Sequence, residues 1–171
     1  MKPRNSTKQR GASTFEMAFA LPLIVLPLIF GVMDFSRAMY AYHFVGYAAR
    51  EASRWASVRG ATCASPMTNC GAAVAGSTAP QTFVQGFIPA GMYNKGCSGT
   101  TSGSLCVTVL TATGLMADGV TDCTNGGAYV TDFPGCVVQV QVTYYYGFTL
   151  PYLSQLPAVK MTSTSEMTIS Q

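Results

Sequence analysis

Arg10-Gly11-Ala12-Ser13-Thr14-Phe15-Glu16 joins a basic leader to Met17–Met33, a run with no charged residue. Seventeen uncharged residues stand at the short end of the roughly 17–25 needed to cross a bilayer as a helix. The carboxylate of Glu16 sits at one edge of that run. An ionised group there is costly unless another group pairs with it. The leader carries Lys2, Arg4, Lys8 and Arg10. Positive charge beside a span is retained on the cytoplasmic side. The pattern therefore predicts a single span over about 15–33, with the N-terminus inside and everything after Asp34 outside.

Composition agrees with a membrane-attached chain. Of the 171 residues, 49% are apolar and only 10% charged, against about a quarter charged in ordinary soluble domains. The net charge of +3 is unevenly spread: Lys and Arg gather before Gly60, and acidic residues outnumber basic ones after it. The basic balance is thus topogenic and gives no indication of nucleic-acid binding. A retained anchor is preferred to a cleaved secretory signal. The apolar run is long for a signal peptide, no good small-x-small site follows it, and Asp34 and Arg37 intervene.

The helix is expected to continue to about Arg59, for a length of roughly 70 Å. Pro22 and Pro27 within the span predict a kink that neighbouring groups in the membrane absorb. Asp34 and Arg37, and again Glu51 and Arg54, stand three apart and are expected to pair on one face. The small residues Ala38, Ala41, Gly46, Ala48, Ala49, Ala52, Ser53, Ala56 and Ser57 allow another element to approach closely. Gly60 is expected to cap the helix in a left-handed conformation.

Beyond the helix the text changes. Residues 61–104 are rich in Gly, Pro, Ser and Thr, with Phe83, Phe87 and Ile88 suggesting a short helix that covers a sheet. Three strands are expected: from Cys106, over Val137–Tyr146 with Val138, Val140 and Val142 on one side, and from Val159 to Ile169. The fold class is α+β, a long N-terminal helix packed on a small antiparallel sheet. The organisation is a leader over 1–11, a helix over 12–60 and an outer β domain over 61–171. All six cysteines (Cys63, Cys70, Cys97, Cys106, Cys123, Cys136) fall in that outer part. An even number there reads as disulfides, with nearest neighbours paired: Cys63–Cys70, Cys97–Cys106 and Cys123–Cys136.

Enzymatic chemistry finds no support in the residues. His43 is the only histidine and lies among Tyr40, Tyr42 and Phe44, so packing or an interface role is expected of it. Without a C-x-x-C pair or a second histidine, no metal site and no cofactor is expected. Asp118, Asp122, Asn125 and Asp132 share a glycine-containing stretch that could offer oxygen ligands to Ca²⁺, but their spacing is not that of an EF-hand. They read as solvated turn residues. Trp55 reads as core. Tyr144, Tyr145 and Tyr146 read as a strand end alternating between core and solvent.

Arg10-Gly11-Ala12-Ser13-Thr14-Phe15-Glu16-Met17-Ala18 resembles the processing site of type IV pilin-like proteins, and more narrowly of the TadE-like pseudopilins of the Flp/Tad pilus system. Leu21-Pro22-Leu23, Phe30-Gly31-Val32-Met33-Asp34-Phe35-Ser36-Arg37 and Ala48-Ala49-Arg50-Glu51-Ala52-Ser53-Arg54 extend the resemblance over about residues 10–60. It is weaker over Val137–Ile169 and does not cover the cysteine-rich middle. The resemblance implies that a prepilin peptidase cuts after Gly11, leaving Ala12 as the mature N-terminus. It implies that Glu16 registers one subunit against the new amine of its neighbour. The implied partners are other pilin and pseudopilin subunits, the peptidase, an inner-membrane assembly platform and membrane lipid. The implied product is a minor pilin or assembly factor, not an enzyme. The alternative is a permanently anchored single-pass protein whose periplasmic domain binds a partner.

Overall fold

The computed structural model describes residues 10–63, 67–74, 76–110, 123, 133–150 and 153–170. One helix, α1 (Arg10–Ser57), runs unbroken for 48 residues through both Pro22 and Pro27, about 72 Å at 1.5 Å per residue. A short helix, α2 (Ala79–Gln85), precedes three strands, β1 (Leu105–Val109), β2 (Val137–Tyr146) and β3 (Val159–Thr168). They form one antiparallel sheet in the order β1-β2-β3. The α+β architecture read from the sequence is the one observed.

Alternation explains the sheet. Val138, Val140, Val142, Tyr144 and Tyr146 are the buried half of β2, as Leu105, Val107 and Val109 are of β1. They meet Ala41, Phe44, Val45, Ala48, Ala49, Ala52 and Ala56 of α1 in one apolar core. Each fully buried valine is worth about 1.5–3 kcal/mol. The alanines add little area themselves, but they let the helix lie close on the strands. The opposite face is polar. Gln139 donates to Glu166 at 2.6 Å, and Gln141 and Thr143 stand opposite Thr164 and Thr162, each at 3.4 Å. Inward-facing positions of β3 are small or flexible: Met161, Ser163 and Ser165. Ser165 Oγ lies 3.0 Å from Ser53 Oγ of α1.

The helix runs in the same direction as β3. Its Asp34 end lies at Tyr146, which pairs with Val159, and its Ser57 carbonyl accepts from the Ser170 N–H. The sheet therefore has one end near the apolar half of α1 and one end far from it.

One local expectation is corrected and two are sharpened. Gly60 is not left-handed. Arg59 N–H instead closes the last turn on Ala56 O, and the buried Gly60 offers its carbonyl to Cys63 and Gly71. The short helix packs at the β1 margin of the sheet, with Val84 in the core, while Phe83 stacks on Trp55 and Phe87 packs edge-on against Phe44 and Tyr47, so that α2 is a wedge filling the corner between α1 and β1. Trp55 is only half-buried, with the Arg59 guanidinium 4.3 Å above its ring.

That wedge places Gln81 where a further strand would run. Its Nε2 donates to Leu105 O at 3.0 Å and its Oε1 accepts from Val107 N–H at 2.6 Å. One carboxamide thus mimics a strand peptide and, with the Gly96 carbonyl accepting from Leu105 N–H and the Gly76 N–H donating to Val109 O, covers the β1 edge, which would otherwise be open to pairing. Gln81→Ala is expected to cost about 1–2 kcal/mol. It should also speed hydrogen exchange at the Val107 amide; unchanged exchange there would mean that Gln81 does not protect that amide.

The three disulfides are Cys63–Cys70, Cys97–Cys106 and Cys123–Cys136, the nearest-neighbour pairing. Asp118, Asp122, Asn125 and Asp132 lie outside the described residues.

Candidate functional site

Two regions of α1 carry the chemistry. The first is its apolar half. Phe15, Phe19, Leu23, Ile24 and Leu28 are each more than 60% exposed, and no large side chain from Phe15 to Met33 is buried. The best 18-residue window has a mean hydropathy of 2.2. A continuous apolar surface of this size is not left to water in a stable monomer, and the helix is long and apolar enough to cross a membrane. Glu16 is exposed on this surface. Among the described residues it has no ion pair, the one salt bridge being Glu51–Arg54 at 4.0 Å. Gly11 and Ala12 fall in the first turn of α1. Ala12 and Glu16 are four residues apart along α1, about 6 Å along its axis.

The second region begins where the uncharged run stops. Asp34 is 5% exposed and does not pair with Arg37; no such ion pair forms among the described residues. Its carboxylate is held by the other end of the chain. Tyr146 Oη donates to Asp34 Oδ1 at 2.8 Å and also reaches the Asp34 carbonyl at 3.0 Å. Thr149 Oγ1 donates to Oδ1 at 2.7 Å, and the Thr149 N–H reaches Oδ2 at 3.3 Å. Arg37 Nη1 in turn donates to Thr149 Oγ1 at 3.3 Å. The segment leaving β2 is therefore fastened to α1 at the first polar residue beyond the apolar half.

Electrostatics follow from these bonds. Burial pushes the Asp34 carboxyl up, but hydrogen bonds from Thr149, Tyr146 and the Thr149 and Leu150 backbone outweigh it, leaving it below its ordinary 3.8. Burial, then the bond to Asp34, pushes the Tyr146 phenol up to about 12. A lowered acid contributes stability above its unfolded pKa and loses it as pH falls through the folded one. Neutral Tyr146, the donor, contributes fully below its ordinary 10.0 and loses that contribution as pH rises toward about 12. The thermal midpoint of the wild type minus that of Asp34→Asn is thus expected to be flat in between and to shrink below pH 3.8 and above pH 10.0. A difference that stays constant through both ends would mean that the clamp is not ionic.

His43 is exposed and meets Tyr42 edge-on at 6.1 Å. No group of three or more His, Cys, Asp or Glu side chains capable of holding a metal occurs among the described residues.

The comparisons with known proteins bear on the helix. Residues 11–54 match the model of a family described as TadE-like protein. Over that segment the chain is similar to that family. No curated protein and no solved structure matches it. The matched segment takes in Gly11, Ala12, Glu16, Asp34 and the core alanines Ala41, Ala48, Ala49 and Ala52, and it stops before the first cysteine. Tyr146 and Thr149, which hold Asp34, lie beyond it. Sequence reasoning missed them because a partner 112 or 115 residues away leaves no local spacing to read. The only available signal was the unexplained aspartate at the rim of an apolar run.

Proposed function

We propose that this chain is a minor pilin or pseudopilin of a Flp/Tad-type pilus, a structural subunit or assembly factor serving adhesion or secretion. The observation that carries the reading is the coincidence of the TadE-like match with the division of α1. Its first half is apolar and uncovered, and its second half buries one face under a domain of the chain's own.

In this reading a prepilin peptidase cuts after Gly11. The chain stands in the bacterial inner membrane with its N-terminus cytoplasmic and the disulfide-bonded domain periplasmic, and it enters a fibre alongside other pilin subunits. Glu16 meets the amine of a neighbour's Ala12. Each group is expensive alone in lipid, and assembly supplies the partner. The role is structural rather than catalytic.

Intact mass of the membrane-extracted protein from its own host tests the processing step. A chain beginning at Ala12 supports the pilin reading. One beginning at Met1 overturns it and favours an anchored periplasmic binding protein. The assembly step has a separate test. Glu16→Ala is expected to insert normally, by carbonate extraction, yet to be lost from sheared surface fibres. Undiminished incorporation would remove Glu16 from the mechanism.

A further inference from the structure

Arg37 stands between an apolar groove and the outer domain. The groove, about 450 Å³, is lined by Phe30, Met33, Asp34, Arg37, Thr149 and Leu150. Phe30 and Met33 lie on the apolar half of α1 and are about half exposed, at 49% and 59%. Leu150, on the segment leaving β2, forms the facing wall. Polar groups line only the end away from the span. We propose that this groove holds one phospholipid, with its phosphate on the Arg37 guanidinium and the start of an acyl chain along Phe30, Met33 and Leu150. The proposal rests on the reading that residues 15–33 cross a bilayer.

Position supports the assignment. Arg37 is one helical turn beyond Met33, about 6 Å along the axis. The interfacial layer outside the hydrocarbon core is of similar thickness, about 5–7 Å on each side. The guanidinium therefore lies at phosphate depth while the apolar wall below it lies at acyl depth.

Charge complementarity supports it as well. The nearest carboxylate in sequence, Asp34, directs its oxygens to Tyr146 and Thr149 rather than to Arg37. Arg37 is exposed, and its hydrogen bond goes to the neutral Thr149 hydroxyl. A guanidinium has five N–H donors in a planar fork suited to two oxygens of a phosphodiester. The Asp34 clamp thus does two things at once: it fixes the groove wall that carries Leu150, and it leaves the arginine fork facing outward.

The test uses the full chain extracted in detergent, stripped of lipid, and returned to phosphatidylglycerol before native mass spectrometry. One lipid adduct per chain is expected for the wild type. It should fall at least about tenfold in Arg37→Gln and partly return in Arg37→Lys. Inorganic phosphate at millimolar concentration should not displace it, because phosphate lacks the chain that fills the groove. Arg37→Gln gives up only the exposed bond to Thr149 at 3.3 Å, so its thermal midpoint, measured alongside, is expected to fall by no more than about 4 °C. Equal adduct in wild type and Arg37→Gln would overturn the proposal, and so would displacement by phosphate alone, which would leave an anion site without a lipid. A chain that remains monodisperse in buffer without detergent would instead overturn the spanning reading, and this proposal with it.

Discussion

Asp34→Ala is expected to destabilise the outer domain by about 2–3 kcal/mol, the range for losing hydrogen bonds to a charged acceptor. The loss falls unevenly on its partners. Tyr146 keeps a bond to the Asp34 carbonyl, which alanine also supplies, at 3.0 Å. Thr149 loses the acceptor of both its N–H and its hydroxyl, but it is exposed and water can serve it. Most of the effect should therefore be a loosening of residues 147–150 from α1 rather than collapse of the core. Tyr146→Phe removes one donor and should cost less, about 1–1.5 kcal/mol. The two changes act on one bond, so the double variant should be milder than their sum by at least about 0.5 kcal/mol. Urea unfolding in detergent gives all three values. Strict additivity would mean that the Asp34–Tyr146 bond contributes nothing of its own.

The largest effect among the disulfides is expected at Cys123–Cys136. Both residues are fully buried, and they close the longest of the three loops, with a sequence separation of 13. Chain-entropy reasoning assigns such a loop about 3 kcal/mol. The sheet has only three strands, so little apolar burial is in reserve against that loss. Replacing both cysteines with alanine should lower the thermal midpoint by about 6–12 °C. The same change at Cys63–Cys70, with a separation of 7 and mostly exposed ends, should cost less, by about 0.5 kcal/mol from loop length alone. Paired substitution is preferable to reduction, which opens all three bonds together. A larger effect at Cys63–Cys70 than at Cys123–Cys136 would contradict this ranking.

Much of the fold was legible because its signals are periodic. The uncharged run and the alanine-rich stretch predict one long helix. Strict alternation predicts β2 with its observed ends, Val137 and Tyr146, and the buried half of its residues. The cysteines pair with their neighbours along the chain, so their order was a sufficient guide. The clamp was not legible. At Asp34, an i,i+3 rule sees only the same helix and so points to Arg37, whereas burial against the sheet brings better donors from Tyr146 and Thr149. Gln81 was missed for a related reason. A glutamine in a seven-residue helix carries no sign that its amide will complete a strand pattern 24 and 26 residues further on.

The common direction of α1 and β3 has a consequence for how copies can meet. Gln81 covers one margin of the sheet, but the margin of β3 is open among the described residues. Open edges of this length invite antiparallel joining with another copy, the usual route to unwanted aggregation. Two copies standing in one bilayer, however, both send β3 away from it. Joining those edges antiparallel would turn one copy upside down and drive its apolar half into water. In the spanning arrangement proposed above, the anchor would thus guard a margin that no described side chain covers, and a domain cut free of its span would lose that guard.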